Sequence, residues 1–200
     1  MDLSIYKSIA IPQGNVKQIG VGSSVIWRKP YQDLDYVFID GNVGGIEIPY
    51  IITNQDTVRF KFETVTAGDM FGYHKTPLGP SFYLISSNSS TVFYGTQKQR
   101  DGWVLGNTSG VHDAVFSQSG YTDNGITIGT FHSETFTLDG NMILGRINVI
   151  RETRSSFNCY RFAIDGKCDL RPMRRTSDSV VGLYDIINDV FYTDSCISYP

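Results

Sequence analysis

Retaining hydrolysis of a glycosidic bond needs two carboxylates about 5–5.5 Å apart, one on each side of the bond. Acids two or four residues apart on one strand face supply that spacing. The four glutamates, Glu47, Glu63, Glu134 and Glu152, fall into no such pattern. Asp33 and Asp35 have i, i+2 spacing but lie beside Pro30, where solvated turn acids are expected. His74, His112 and His132 are scattered, and no serine or cysteine stands in a GxSxG elbow. The run Gly41-Asn42-Val43-Gly44-Gly45 lacks the lysine and the ensuing helix of a phosphate loop, and reads as a turn. These residues predict no catalytic set, no cofactor and no enzyme.

Non-covalent recognition has better candidates. Sugar binding by a β-surface uses an exposed aromatic ring beside Asn, Asp and backbone amides, in a largely preformed site. Trp103 in QKQRDGWVLGN, Tyr73-His74 in MFGYHKTPLGP and Tyr121 in SGYTDNG are the candidate carbohydrate-binding residues. The competing reading of each ring is packing in the core or against a hairpin. Asp123-Asn124 lacks the D-x-D-x-D density of a calcium loop, and turn chemistry is the preferred reading. Eight of the seventeen basic residues (Arg146, Arg151, Arg154, Arg161, Lys167, Arg171, Arg174 and Arg175) fall in one stretch, opposed only by Glu152, Asp165 and Asp169. They read as outward faces of strands, or as a docking surface for an acidic neighbouring subunit or an anionic wall polymer such as a teichoic acid.

Cys159, Cys168 and Cys196 form no CxxC pair and no ligand set with the histidines, so no metal site is predicted. Asp165-Gly166 predicts a two-residue hairpin turn with Ile164 opposite Lys167 and Ala163 opposite Cys168. Cys159 then lies four residues further along, about 13 Å from a bonding position, against a limit of about 7 Å for disulfide Cα atoms. Three unpaired thiols fit a protein made in a reducing cytoplasm.

The elements that must position these residues are strands. The 200 residues include only four Ala and four Glu, against 20 Gly, 16 Asp, 12 Tyr and 12 Phe. Strong helix formers are scarce, while turn punctuators and sheet-favouring aromatics abound. The length supports one ordinary core, and a net charge of −3 argues against nucleic acid as a partner. No basic n-region followed by an apolar h-region opens the chain, and no apolar run predicts a membrane span. Residues 1–29 read as a small β-meander with turns at Pro12–Asn15 and Gly22–Ser24, ended by Lys29-Pro30. Three short strands bury too little surface to stand alone. The segment therefore packs as a first sheet layer or docks on another subunit through Ile9, Ile11, Val16, Ile19 and Trp27. From Tyr36 onward short apolar runs recur between turn residues, most clearly where Val58, Phe60 and Phe62 alternate with Arg59, Lys61 and Glu63. A hairpin is predicted at Asn188-Asp189, with Leu183 and Phe191 on apolar faces. The pattern is that of an all-β sandwich or barrel.

Two stretches carry a resemblance. LDYVFIDGNVGGIEIPYIITNQDTVRFKFE (34–63) resembles the opening of a concanavalin A-like, LamG-type jelly-roll domain common in bacteriophage tail and Gram-positive surface proteins. AIDGKCDLRPMRRTSDSVVGLYDIINDVFYTD (163–194) resembles that family's closing signature, with Gly182–Asp185 (GLYD) and Phe191-Tyr192 as its most specific part. The chain departs from the family at Asp40–Gly44, where S-x-G-T-Q is usual, and at Met173, where Cys often follows the closing Pro. KSIAIPQGNVKQIGVGSSVIW (7–27) is similar to short β-segments of small tail or baseplate proteins of phages infecting Gram-positive bacteria. The resemblance implies a concanavalin A-like jelly-roll β-sandwich over residues 31–200, with residues 1–29 as an assembly appendage. It implies a non-enzymatic virion component of a tail tip or baseplate, a homo-oligomer (a trimer), with other tail proteins and host cell-wall polysaccharide as partners. The alternative is a carbohydrate-binding module of a bacterial surface protein.

Overall fold

The computed structural model describes residues 10–11, 14–15, 18–21, 24–28, 30–53, 55–66, 68–73, 82–86, 91–95, 100–104, 110–130, 141–145 and 155–200. Side chains are described within 30–53, 55–66, 68, 70–72, 110–130, 141–145 and 155–200. In chain order the strands are β1 (Ala10–Ile11), β2 (Gly14–Asn15), β3 (Gln18–Val21), β4 (Ser24–Arg28), β5 (Tyr31–Asp33), β6 (Val37–Asp40) and β7 (Gly45–Ile48). Next come β8 (Val58–Thr66), β9 (Gly68–Tyr73), β10 (Phe82–Ser86), β11 (Thr91–Gly95), β12 (Arg100–Val104), β13 (Val111–Ser117) and β14 (Gly120–Asp123). The last are β15 (Ile126–Gly129), β16 (Met142–Gly145), β17 (Ser156–Ile164), β18 (Cys168–Arg175), β19 (Val181–Asp185), β20 (Val190–Tyr192) and β21 (Ile197–Ser198). Among the described residues all strand pairings are antiparallel, and no helix is long and apolar enough to cross a membrane.

The larger sheet runs β15-β14-β13-β8-β17-β18-β19-β20, and the smaller runs β12-β11-β10-β9-β16-β7. Strand β17 is the hub of the larger sheet. One of its edges pairs with β8, and the other is divided between β6 at Ser156–Cys159 and β18 at Phe162–Ile164. Where β17 leaves β18, β5 takes over that edge, pairing Asp33 with Met173. Pro172 sits at this step: its carbonyl accepts the Leu34 N–H, so its missing donor falls where the partner strands change.

Period-two alternation decides the core. On β8, Val58, Phe60 and Phe62 are buried, while Arg59 and Lys61 face out. Their rings meet Phe71 from the smaller sheet, whose centroid lies 5.5 Å from Phe60 and 5.3 Å from Phe162, edge-on to both. Ile46, Ile48, Met142 and Leu144 join the same cluster, so the two sheets pack face to face in a β-sandwich-like arrangement.

The register differs from expectation at two turns. Ile164, rather than Ala163, pairs with Cys168, because Gly166 takes a positive φ of 75° and the Lys167 N–H bonds the Ile164 carbonyl. That is a three-residue loop with a left-handed glycine rather than a two-residue turn. All three thiols are free and buried, and burial pushes each pKa up to about 12. The hairpin before β20 closes by the Asp189 N–H bonding the Asp185 carbonyl, a four-residue turn in which Asp189 adopts φ 60°. At the N-terminus, β1 pairs with β2 and β3 with β4, two two-stranded sheets among the described residues.

Phe71 closes the contact between layers. Truncating it to alanine should cost about 3–5 kcal/mol, read as a lowered urea midpoint. Replacing the exposed Val65 by threonine should stay within about 0.5 kcal/mol.

Candidate functional site

A β-bulge helps to build a concavity on the outer face of the larger sheet. Phe62 pairs with Cys159 and Lys61 with Arg161, so Tyr160 is the extra residue on β17. Inward packing resumes at Phe162, and Tyr160 and Arg161 both come to line the outer face. With Asp35, Arg59, Lys61, Asp113 and Arg171 they surround a depression of about 270 Å³.

Its walls are held by ion pairs. Both oxygens of Asp169 receive hydrogen bonds from Arg161 (2.9 and 3.0 Å) and from Arg171 (2.9 and 2.9 Å), so one carboxylate bridges two guanidiniums. Burial acts to raise the Asp169 pKa, but the two arginines outweigh it and hold the carboxyl below its ordinary range. Arg59 grips Asp165 through Nε (2.8 Å) and Nη2 (3.0 Å), a pairing that raises the guanidinium pKa further. Such planar forks fix orientation as well as charge. Tyr160 donates to Glu63 Oε2 at 3.1 Å, and its ring lies 5.5 Å from Tyr36. Burial and Glu63 both raise the phenol pKa.

This wall is anchored from the neighbouring strand β19. Asp185 is fully buried and accepts hydrogen bonds from the Asp169 N–H (3.2 Å), the Ile187 N–H (3.0 Å), Asn188 Nδ2 (2.8 Å) and Tyr50 Oη (3.0 Å). Burial alone would raise its pKa, yet these donors hold the carboxyl below the ordinary range. Beside it, Gly182 is required by close approach: a Cβ would run into the Tyr192 carbonyl oxygen and lie 2.7 Å from Phe191 Cζ. The GLYD run therefore has a physical reason for its first and last residues.

Of the sequence-predicted platform residues, Tyr121 is the one whose side chain is described, and it does not line this depression. Tyr121 is corrected outright: it is fully buried and stacks on Phe116 at 4.7 Å, because the β13–β14 register pairs the two on the inward face. Trp103 lies on β12, the outermost strand of the smaller sheet, opposite Val92. Tyr73 ends β9 opposite Phe82, and His74 lies outside the described residues. Of the docking residues, Ile11 pairs with Gly14 and Ile19 with Trp27, while Ile9 and Val16 lie outside the described residues.

Two other predictions resolve locally. Asp123 is turned inward, its Oδ2 2.7 Å from Nδ1 of the equally buried His112, which stacks on Phe62. Asn124 takes φ 49° and accepts the Asp113 N–H, which is turn chemistry, and no group of three metal-binding side chains forms among the described residues. Much of the basic stretch is neutralised in place: Arg161 and Arg171 by Asp169, Lys167 by Asp56 (2.8 Å) and Arg175 by Asp178 (2.7 Å). Arg146, Arg151 and Arg154 lie outside the described residues. The sequence reading missed the depression because an inserted strand residue and a cross-strand ion network leave no local motif.

Comparison of the chain with protein-family models, with curated proteins and with solved structures finds no match in any of the three.

Asp185 generates a pH prediction. A carboxyl held low when folded stabilises above its unfolded pKa of about 3.9, and that contribution is lost as pH falls through the folded value. Asp185→Asn should cost about 1–3 kcal/mol at pH 7. Its urea midpoint should also fall less steeply than the wild type's as pH drops below 4.

Proposed function

We propose that this chain is a non-enzymatic structural and adhesion component of a bacteriophage tail tip or baseplate. In this reading residues 31–200 form a concanavalin A-like jelly roll, the N-terminal hairpins attach it to neighbouring tail proteins in a homo-oligomer, and the sandwich meets host cell-surface saccharide. The observation that carries the adhesive part is the outer-face depression. A polar concavity with Tyr160 in its lining and its guanidiniums oriented by Asp165 and Asp169 suits a polyhydroxylated ligand. The resemblance at 34–63, 163–194 and 7–27 supports the virion context.

A second reading is a carbohydrate-binding module of a bacterial surface protein. It is favoured by one fact: among the described residues, those lining the depression fall between Asp35 and Arg171 in the sequence, after the N-terminal hairpins.

Deleting residues 1–29 separates the two. The virion reading expects a folded chain, with unchanged circular dichroism, that no longer enters particles. Normal incorporation of the truncated chain would sink it. Under either reading the full chain should sediment with purified Gram-positive cell walls. Trp103→Ala should weaken that binding several-fold if Trp103 contributes a platform, and leave it unchanged if the depression acts alone.

A further inference from the structure

We propose that the outer-face depression takes a glycosyl unit bearing one anionic substituent, with the anion on Lys61, Arg161 and Arg171 and the sugar hydroxyls on Asp35 and Asp113. The proposal rests on the saccharide-adhesion reading above and names the ligand class of that site.

Strand register carries the argument. Lys61 stands directly opposite Arg161 on β17, and Arg171 extends the cationic row onto β18. Like charges facing one another across strands destabilise a sheet. Between the two arginines Asp169 bridges both guanidiniums, whereas Lys61 has an acid across the strand, Asp113, without a formed ion pair. Among the described residues the Lys61 ammonium has no ion pair or hydrogen bond, although Asp113 is its register partner on β13. Arg161 and Arg171 each spend Nε and Nη2 on Asp169, leaving Nη1 uncommitted. Lys61, Arg161 and Arg171 therefore share one ion-paired carboxylate, Asp169, and hold spare donors at fixed positions.

The same walls carry Asp35 and Asp113, whose carboxylates accept no hydrogen bond among the described residues. These acids select against a bare anion, which they repel. A neutral sugar satisfies them through its hydroxyls but leaves the Lys61–Arg161 repulsion in place. A sugar with one carboxylate or phosphate answers both demands. The volume of about 270 Å³ suits one ring-sized unit of a longer chain.

The test is titration of the isotope-labelled full chain with D-glucuronate, glycerol 1-phosphate, D-glucose and inorganic phosphate, followed by amide NMR shifts. Glucuronate or glycerol 1-phosphate, whichever matches the substituent, should move the Lys61, Asp113 and Arg161 signals with about tenfold lower Kd than glucose. Lys61→Ala should raise that Kd about fivefold, and Lys61→Arg should restore it. Lys61 is exposed, so Lys61→Arg should keep the wild-type melting temperature, and Lys61→Ala, which removes the charge facing Arg161, should not lower it. Asp113→Asn should weaken the acidic sugar but not inorganic phosphate. Equal Kd values for glucose and glucuronate, or for inorganic phosphate and the best organic anion, would overturn the proposal. So would undiminished cell-wall binding by Lys61→Ala, which would leave adhesion standing with its site elsewhere. Absence of wall binding by the wild-type chain would instead remove the adhesion reading itself.

Discussion

The contact of Phe71 with Phe60 and Phe162 is the constraint on which the rest depends. It is where the smaller sheet meets the larger, and edge-on rings at 5.3–5.5 Å leave little freedom in how the layers approach. Once Phe60 and Phe62 point inward, Arg59 and Lys61 must point outward, since a one-residue slip would drive charge into the core. The outer-face chemistry is thus a by-product of inner-face packing. The bulge at Tyr160 breaks the alternation of β17 and then restores it, and it places two polar residues side by side on the outside.

A second chain of cause runs from the buried layer to that surface. Asp185 fixes the Asp169 backbone, and the Asp169 side chain fixes Arg161 and Arg171. A buried carboxylate is tolerable only when its lone pairs are filled, and the donors around Asp185 come from separate segments of the chain. The two strongest features of the closing stretch, Gly182 and Asp185, therefore serve packing and orientation. They hold the wall of the depression and are not themselves part of it.

Legibility in the sequence followed the range of the interaction. Alternation made β8 readable, and runs bounded by turn residues located β11, β13 and the core of β17. Tyr121 shows the limit: SGYTDNG reads equally as an exposed loop ring or a hairpin ring, and only the pairing with Phe116 turns it inward. The Asp165–Lys167 turn failed by one residue because Asp-Gly serves both two-residue and three-residue loops, which differ in where the glycine's positive φ falls. The extent of β18 was obscured by Pro172, whose missing donor is harmless only because the neighbouring strand changes at that point.

By itself the sequence determined an all-β chain with an aromatic core and unpaired thiols, because composition and period-two alternation act within a few residues of each other. Tertiary structure alone decided which charges meet. Lys61, Asp113, Arg161 and Arg171 are brought together by pairings among β13, β8, β17 and β18, and strand register is set by how the two layers pack.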